Sequence, residues 1–271
     1  MNRLSLNQIT TKSWSLPEAV RGCAERGVEW IGLWRDKVAE VGADETARLL
    51  REHGVRASSL CRGGFFTGVT PEGAAVDGLT QTREAIDEAA TVRAEVLVLV
   101  VGGIAGGDLV GSRQRVADAV GELAPYARER GVRLGLEPLH PMQCAERSVL
   151  STVDQALAIA EEHPSDAVGV VVDEFHVWWD PRVEESIAKA AGRIVGFHVC
   201  DQQVPITDGL MARSLPGTGP IEHRRLRECV EAAGYQGPIE VEVFDAELWR
   251  QPGDQVLDQV IEAYREHVAA R

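Results

Sequence analysis

The chain has 271 residues, a formal net charge of −14 and 44% hydrophobic residues, which is ordinary for one globular domain. The negative charge argues against nucleic acid or an anionic membrane surface as the main partner. Because the five cysteines are scattered and no secretory signal or membrane span is evident, we expect a cytoplasmic protein without disulfides or structural zinc.

One unit recurs along the chain: an amphipathic helix, a glycine or short turn, then an apolar strand. The predicted strands are Arg3–Asn7, Val28–Trp34, Val55–Cys61, Glu95–Val101, Val132–Glu137, Val168–Asp173, Ile194–Val199 and Ile239–Phe244. The predicted helices are Val20–Arg26, Asp44–His53, Leu79–Arg93, Arg113–Arg130, Ser151–Glu162, Pro181–Ala191, Glu222–Ala233 and Asp254–Ala270. The first of these follows a capping box, Ser15-Leu16-Pro17-Glu18.

Eight strands that alternate with eight helices predict an α/β fold, a (β/α)₈ TIM barrel, with residues 1–271 as a single domain. Most of the strands are nearly continuous apolar runs, as expected where helices cover a parallel sheet. An open doubly wound sheet is less favoured, because the first strand is not followed by a G-x-G-x-x-G turn.

Four residues with metal-binding side chains end four different predicted strands: Glu137, Asp173, His198 and Glu242. The carboxyl ends of barrel strands meet at one face, where TIM-barrel enzymes have their active sites. Two glutamates, an aspartate and a histidine are suitable ligands for one divalent ion, Mn²⁺ above all, or Co²⁺ or Mg²⁺. Glu240 shares a strand face with Glu242, and Glu242 is preferred because it is nearer the carboxyl end.

Aromatic residues and one histidine add to this predicted site. Trp14, Trp34 and Trp178 lie at or just beyond strand ends, where an aromatic wall would stack on a sugar or a flat aglycone. Packing between loops would also explain some of these tryptophans. His140 follows Glu137 in the next loop, where a catalytic or substrate-contacting role and a loop-structuring role are equally supported.

Several segments from residue 136 onward carry a family resemblance. They are Leu136–Pro141, Asp173–Pro181, Phe197–Asp201, Arg213 with Pro216–Gly219, and Gly234–Glu242. In these segments the chain resembles the xylose isomerase-like TIM-barrel superfamily, the sugar phosphate isomerase/epimerase group. It departs from the usual pattern at Gly217-Thr218-Gly219, where relatives often have Gly-Asp-Gly.

The resemblance implies roles for individual residues. Glu137, Asp173, His198 and Glu242 would bind one divalent metal, with the two glutamates on opposite sides of the substrate carbon. It further implies that His176 and Arg213 hold substrate oxygens.

The predicted chemistry is removal of a proton beside a carbonyl that the metal polarises, through an enediolate. This predicts an isomerase or epimerase of a small sugar or keto-sugar, and we expect a homo-oligomer. One alternative is a lyase that cleaves a 3-keto C-glycoside by the same enolisation and requires a small second subunit. A second alternative is an inactive sugar-binding barrel. The net charge disfavours an abasic-site endonuclease.

Overall fold

The strands form a closed barrel in this computed structural model, which describes residues 3–206 and 208–269. The strands are β1 Leu4–Asn7, β2 Trp30–Trp34, β3 Arg56–Gly64, β4 Leu97–Val100, β5 Leu134–Leu136, β6 Val168–Asp173, β7 Ile194–Val199 and β8 Ile239–Val241. Each strand pairs in parallel with its neighbours in chain order. Pairing of β1 with β8 closes the barrel, which confirms the predicted (β/α)₈ fold.

Helices surround the barrel at the places that the sequence predicts. They are Leu16–Glu25, Ala43–His53, Gly78–Val92, Leu109–Glu129, Val153–Ala160, Val183–Lys189, His223–Ala232 and Gly253–Ala263, the last of which continues as a wider π-type turn over Tyr264–Val268. Ala270, the predicted last helical residue, lies outside the described residues. No helix in residues 3–206 and 208–269 is both long and apolar enough to cross a membrane.

The loops at the carboxyl ends of the strands contain structure that the sequence did not predict. Arg35–Val41 is an extra helix, Glu174–Val177 and Ala246–Trp249 are single helical turns, and Pro141–Gln143 is a 3₁₀ turn. Asp201–Gln202 and Arg213–Ser214 pair as a short antiparallel hairpin. These segments lie at the rim where the predicted site residues are found.

Local hydrogen bonds explain where the helices begin. The predicted capping box is present, because Glu18 Oε2 accepts from the Ser15 backbone N–H at 2.8 Å. The helix predicted from Arg113 begins earlier, at Leu109. Asp108 caps it, with Oδ1 accepting from Gly111 N–H at 2.8 Å. The sequence prediction started too late because Gly111 interrupts the apolar pattern.

Most of the core lies between the barrel wall and the helices, but the barrel interior is also filled. On the β4 to β7 side the interior is apolar, formed by Val98, Val171 and Val195. Gly135 leaves room for them, since a Cβ there would lie 2.7 Å from a methyl group of Val171. Branched side chains packed in this way make the interior a core rather than a pore.

The opposite half of the barrel interior is polar and is organised around the buried carboxylate of Glu240. Its oxygens accept hydrogen bonds from Ser58 Oγ at 2.6 Å, Ser59 Oγ at 3.0 Å and Asn7 Nδ2 at 2.6 Å. A Cβ on Gly32 would lie 2.1 Å from Glu240 Oε1. Side chains of β1 and β3, and the space left by Gly32 on β2, therefore hold this carboxylate of β8.

We expect Gly32→Ala to lower the free energy of unfolding by about 1–3 kcal/mol, because the added methyl group overlaps the Glu240 carboxylate. Urea denaturation measures the change. Gly121→Ala is the matched control: Gly121 is exposed within a helix, and its added Cβ would have no contact closer than 3.9 Å. Alanine favours a helix over glycine, so the control should be neutral or stabilising. Equal stability of Gly32→Ala and the wild type would contradict the packing described.

Candidate active site at the barrel mouth

The four residues predicted to bind a metal lie together at the carboxyl-end rim. Asp173 is the last residue of β6 and His198 the next to last of β7, while Glu137 and Glu242 directly follow β5 and β8. All four residues are buried, and none of them is more than 5% exposed. Charged groups this deep in a protein require a counter-charge.

Three of these residues form a compact group. Glu137, Asp173 and His198 each offer one atom that could bind a metal ion, and these three atoms lie within 4.8 Å of one another. Glu137 Oε1 and His198 Nδ1 are 3.2 Å apart, but neither atom has a hydrogen-bond partner among the described residues. Buried polar atoms are rarely left unpaired. Two such atoms facing each other beside a third carboxylate fit a divalent cation, so the residues present suit the metal that the sequence predicts.

The imidazole of His198 lies between carboxylates. Its Nδ1 faces Glu137, and its Nε2 is 3.8 Å from Oε1 of Glu240. Burial alone would lower the pKa of His198, but Glu240, Glu137 and Glu242 raise that pKa to about 10. In the metal-free protein the ring therefore carries a proton, and a divalent ion would replace that positive charge.

Glu242, the fourth predicted ligand, lies outside this three-residue group and pairs with Arg213. The Nη1 atom of Arg213 donates to Glu242 Oε2 and to Asp173 Oδ2, both at 2.9 Å. The guanidinium also lies against the rings of Phe175, at 4.4 Å, and Phe244, at 5.1 Å. Arg213 is thus a completely buried cation shared by two carboxylates.

The carboxylates respond differently to burial. Burial raises the pKa of Glu242 to about 8, against the opposing effect of Arg213 and His198. Burial would also raise the pKa of Asp173, but Arg213 and the nearby histidines outweigh this effect and hold that pKa below its usual value. Since Asp173 also accepts from the Phe175 N–H at 2.9 Å, its charge is the better satisfied of the two.

His176 lies beside this pair and is neutral, because burial lowers its pKa to about 3. Its Nδ1 accepts from the backbone N–H of His140 at 3.1 Å, so the ring proton belongs on Nε2. That nitrogen faces Asp173 Oδ2 at 3.6 Å and Arg213 Nη2 at 3.0 Å. Two donors therefore meet where His176 approaches Arg213, and a substrate oxygen placed there could accept from both.

His140 contributes to the same loop. Its Nδ1 accepts from Met142 N–H at 3.2 Å, which caps the 3₁₀ turn. Its ring meets the edge of Trp179, with centroids 5.8 Å apart. Gln143 then links this loop to the next, since its Nε2 donates to the Gly209 carbonyl at 2.6 Å. These contacts give His140 a loop-structuring role next to His176.

The three tryptophans predicted to face substrate have different surroundings. The Trp34 indole donates to Asn7 Oδ1 at 2.8 Å and meets the Phe244 ring edge-on. Trp178 is half-buried, and its indole N–H has no hydrogen-bond partner among the described residues. Trp14 packs between two helices, where a Cβ on Gly22 or Gly253 would lie within 2.5 Å of its indole.

A second buried network supports the rim. The sequence suggested that Asp201 could orient Arg213 or a ligand, but its partners Glu174 and His223 were not predicted. His223 lies between Glu174 Oε2, at 2.6 Å, and Asp201 Oδ2, at 3.1 Å. Burial opposes protonation, but Asp201 and Glu174 raise the pKa of His223 to about 9. Asp201 Oδ2 also accepts from the backbone N–H groups of Gly217 and Gly219. Glu174 and Asp201 closely follow Asp173 and His198 in sequence, and this proximity was the available signal.

Comparison with known proteins identifies the family of this chain. The family described as xylose isomerase-like TIM barrel matches residues 20–267. The chain belongs to this family. An inosose isomerase from Bacillus velezensis is 24% identical over 94% of this chain and 93% of that protein. An L-ribulose 3-epimerase from Mesorhizobium japonicum is 30% identical over 49% of this chain and 41% of that protein. A 3-dehydroshikimate dehydratase from Pseudomonas aeruginosa is 31% identical over 55% of this chain and 23% of that protein.

Solved structures share the whole fold of this chain. A crystal structure of a protein from Sinorhizobium meliloti 1021 has 39% identity and a TM-score of 0.92, covering 99% of both chains. The structure of an IOLI protein with a bound zinc atom has 21% identity and a TM-score of 0.82, covering 98% of both. The relatives named isomerases and epimerases support an enzyme of the sugar isomerase or epimerase kind.

We expect Arg213→Met to lower the free energy of unfolding by about 3 kcal/mol, because it leaves the buried carboxylates of Asp173 and Glu242 without their cation. Urea denaturation of the metal-free protein measures this. Arg225→Met is the control, since it removes an exposed arginine that pairs with Glu184 and Glu222, and little change is expected. A variant at Arg213 as stable as the control would show that the two carboxylates do not depend on it.

Proposed function

We propose that this chain is a divalent-metal-dependent isomerase or epimerase of a small keto-sugar or related sugar derivative. The observation that carries the proposal is the buried cluster in which one possible metal-binding atom each of Glu137, Asp173 and His198 lies within 4.8 Å of the others. The isomerases and epimerases among the relatives support the same reaction class.

A divalent cation held by Glu137, Asp173 and His198, with Glu242 as the fourth ligand, would polarise a substrate carbonyl as a Lewis acid. Lewis-acid polarisation makes the neighbouring C–H bond acidic enough for a carboxylate base. Glu137 and Glu242 follow different strands, β5 and β8, so they can serve as bases on the two faces of the substrate carbon. One removes the proton and the other returns it, which inverts the configuration.

Other side chains at the mouth would orient the sugar. The N–H groups of Arg213 and His176 that face each other are suited to a shared substrate oxygen. Trp34 and Trp178 have half-buried ring surfaces against which the apolar face of a sugar can stack. Trp14 is left out of this set, because its packing between helices accounts for it.

A lyase is the second candidate, and the similarity to a 3-dehydroshikimate dehydratase favours it. Removal of the same proton can lead to loss of a β-substituent instead of return of the proton to carbon. A 3-keto C-glycoside would then release its aglycone. Mass spectrometry separates the two reactions, since an isomerase or epimerase conserves the mass of the substrate and a lyase does not.

We expect Glu137→Gln and Glu242→Gln each to lower turnover about 10²- to 10⁴-fold, because an amide cannot accept the substrate proton. The assay incubates keto-sugars in D₂O and follows deuterium at the α-carbon by NMR. Circular dichroism checks that the variants are folded. The control is Glu161→Gln, at an exposed turn residue just after the helix Val153–Ala160, and this variant should exchange deuterium as fast as the wild type. Undiminished exchange in either site variant would contradict its role as a base.

We expect Mn²⁺ to raise the melting temperature of the chelator-treated protein, because an ion that binds the folded chain stabilises it, by about 2.7 kcal/mol at one hundred times Kd. Asp173→Asn should abolish this increase. The exposed surface pair of Asp166 with Arg128 provides the control Asp166→Asn, which should retain it. Identical melting curves with and without Mn²⁺, Co²⁺ or Zn²⁺ would contradict the metal site.

A further inference from the structure

Two arginines at the barrel mouth have no anionic partner. The Nε atoms of Arg62 and Arg147 are both buried, and neither has a hydrogen-bond partner among the described residues. Neither guanidinium makes an ion pair within 4.0 Å of a described carboxylate, although the chain as a whole carries a net charge of −14. Arg35, on the same side of the rim, shows the usual arrangement, since Glu88 binds it in two hydrogen bonds of 2.7 Å.

The backbone brings the two arginines onto neighbouring loops. The Arg62 guanidinium lies over the Phe65 ring, and a Cβ on Gly102 would lie 3.3 Å from the Phe65 Cα. The Gly102 N–H in turn donates to the Arg147 carbonyl at 2.8 Å. Burial lowers the pKa of Arg62, an effect that Cys61 opposes and Arg147 reinforces. The exposed Glu72 is near enough to influence both arginines electrostatically, but it forms no ion pair with either one. Two like charges held together at a half-buried site are unfavourable unless an anion joins them.

Contacts within the chain place this pair beside the proposed catalytic residues. The Arg62 guanidinium lies 4.2 Å from the centre of the Phe65 ring, and Phe65 packs on Leu139, two residues beyond Glu137. Arg147 lies in the loop that follows Glu137, where its backbone N–H donates to the Gln143 carbonyl at 2.8 Å. The arginines thus stand on the side of the rim formed by the loops after β3 and β5.

There is also space for a ligand next to Arg62. A cavity of about 400 Å³ is lined by Trp34, Cys61, Arg62 and Phe65, with Asp36 as its one lining acid among the described residues. Trp34 connects the cavity wall to the site, since its indole binds Asn7, whose amide donates to Glu242 at 3.1 Å. The wall of this cavity is therefore linked to Glu242 by two successive hydrogen bonds.

We propose that Arg62 and Arg147 form an anion-binding subsite, so that the preferred substrate carries a carboxylate or phosphate group at the end remote from the reacting carbon. This inference rests on the proposed function, because it takes the barrel mouth as the substrate site. Guanidinium groups bind both kinds of oxyanion through pairs of N–H donors. A neutral ketose would leave both charges unsatisfied.

The test compares three unreactive polyols of the same length: D-sorbitol, D-sorbitol 6-phosphate and D-gluconate. None has a ketone or aldehyde, so none can be enolised, and calorimetry measures binding alone. We expect the phosphate, the carboxylate or both to bind the wild type at least about tenfold more tightly than sorbitol. Comparison of the two charged polyols identifies which anion is preferred. Equal affinity for all three would overturn the proposal without any variant.

Variants then test which residues cause the preference for the charged polyols over sorbitol. Arg62→Gln and Arg147→Gln should each reduce this affinity ratio about tenfold. Arg62→Lys should retain part of the preference. Arg133→Gln removes the same charge near Glu95, just before β5 at the opposite end of the barrel, and should retain all of it. Glu72→Gln should leave anion binding unchanged or make it tighter. A preference that survives in both glutamine variants, or is lost equally in Arg133→Gln, would overturn the assignment.

Measurement with and without Mn²⁺ excludes a simpler cause. If the anion only coordinated the metal, its advantage would vanish from the chelated protein, and that result would also overturn the proposal. The outcome is separable from the proposed function. Turnover of neutral ketoses with no anion preference would refute this subsite alone, whereas an anion preference without deuterium exchange on any ketose would refute the proposed reaction alone.

Discussion

Four carboxylates are buried at one end of this barrel, and their mutual repulsion sets the requirements for the surrounding structure. Glu137, Asp173, Glu240 and Glu242 are each at most 5% exposed. The guanidinium of Arg213 and the imidazole of His198 supply positive charge among them. Burial raises the pKa of Glu242 to about 8, so a proton or an additional cation can offset the negative charge that the two cations leave.

The loops are arranged to keep Arg213 in this place. Arg213 belongs to a short hairpin whose other strand contains Asp201, and Asp201 is held by His223, which in turn binds Glu174. Glu174 follows Asp173 directly, so the network returns to the carboxylate that Arg213 binds. The loops after β6 and β7 are therefore coupled through buried charges, and a change in one should be felt at the other.

Much of this could be predicted from the sequence, because the signals were local. Apolar runs separated by helical patterns gave the barrel, and β6 and β7 were predicted with their observed ends. The polar residues at strand ends were found for the same reason, since a charge after a buried strand is conspicuous. The pairing of Glu242 with Arg213 could not be predicted, as it depends on how a hairpin folds over the rim.

Glu240 illustrates the other limit of sequence reasoning. Its position two residues before Glu242 showed that the two side chains share a face, but not what lies opposite. The serines on β3 and the missing side chain of Gly32 on β2 create its binding place, and both strands are about 180 residues or more away in sequence. Likewise Trp14 was predicted to stack on substrate, and its contacts with Gly22 and Gly253 appear only in three dimensions.

The position of Trp14 has a consequence for how the protein is made. During synthesis on a ribosome, the indole emerges more than two hundred residues before Gly253, the residue that completes its packing. Until then the nascent barrel is an open sheet with an uncovered tryptophan and two unpaired strand edges, a form prone to misassembly. Synthesis of β8 allows β1 to close the barrel, and synthesis of the helix that starts at Gly253 shields this ring. The first and last elements of the barrel therefore depend on each other for their burial.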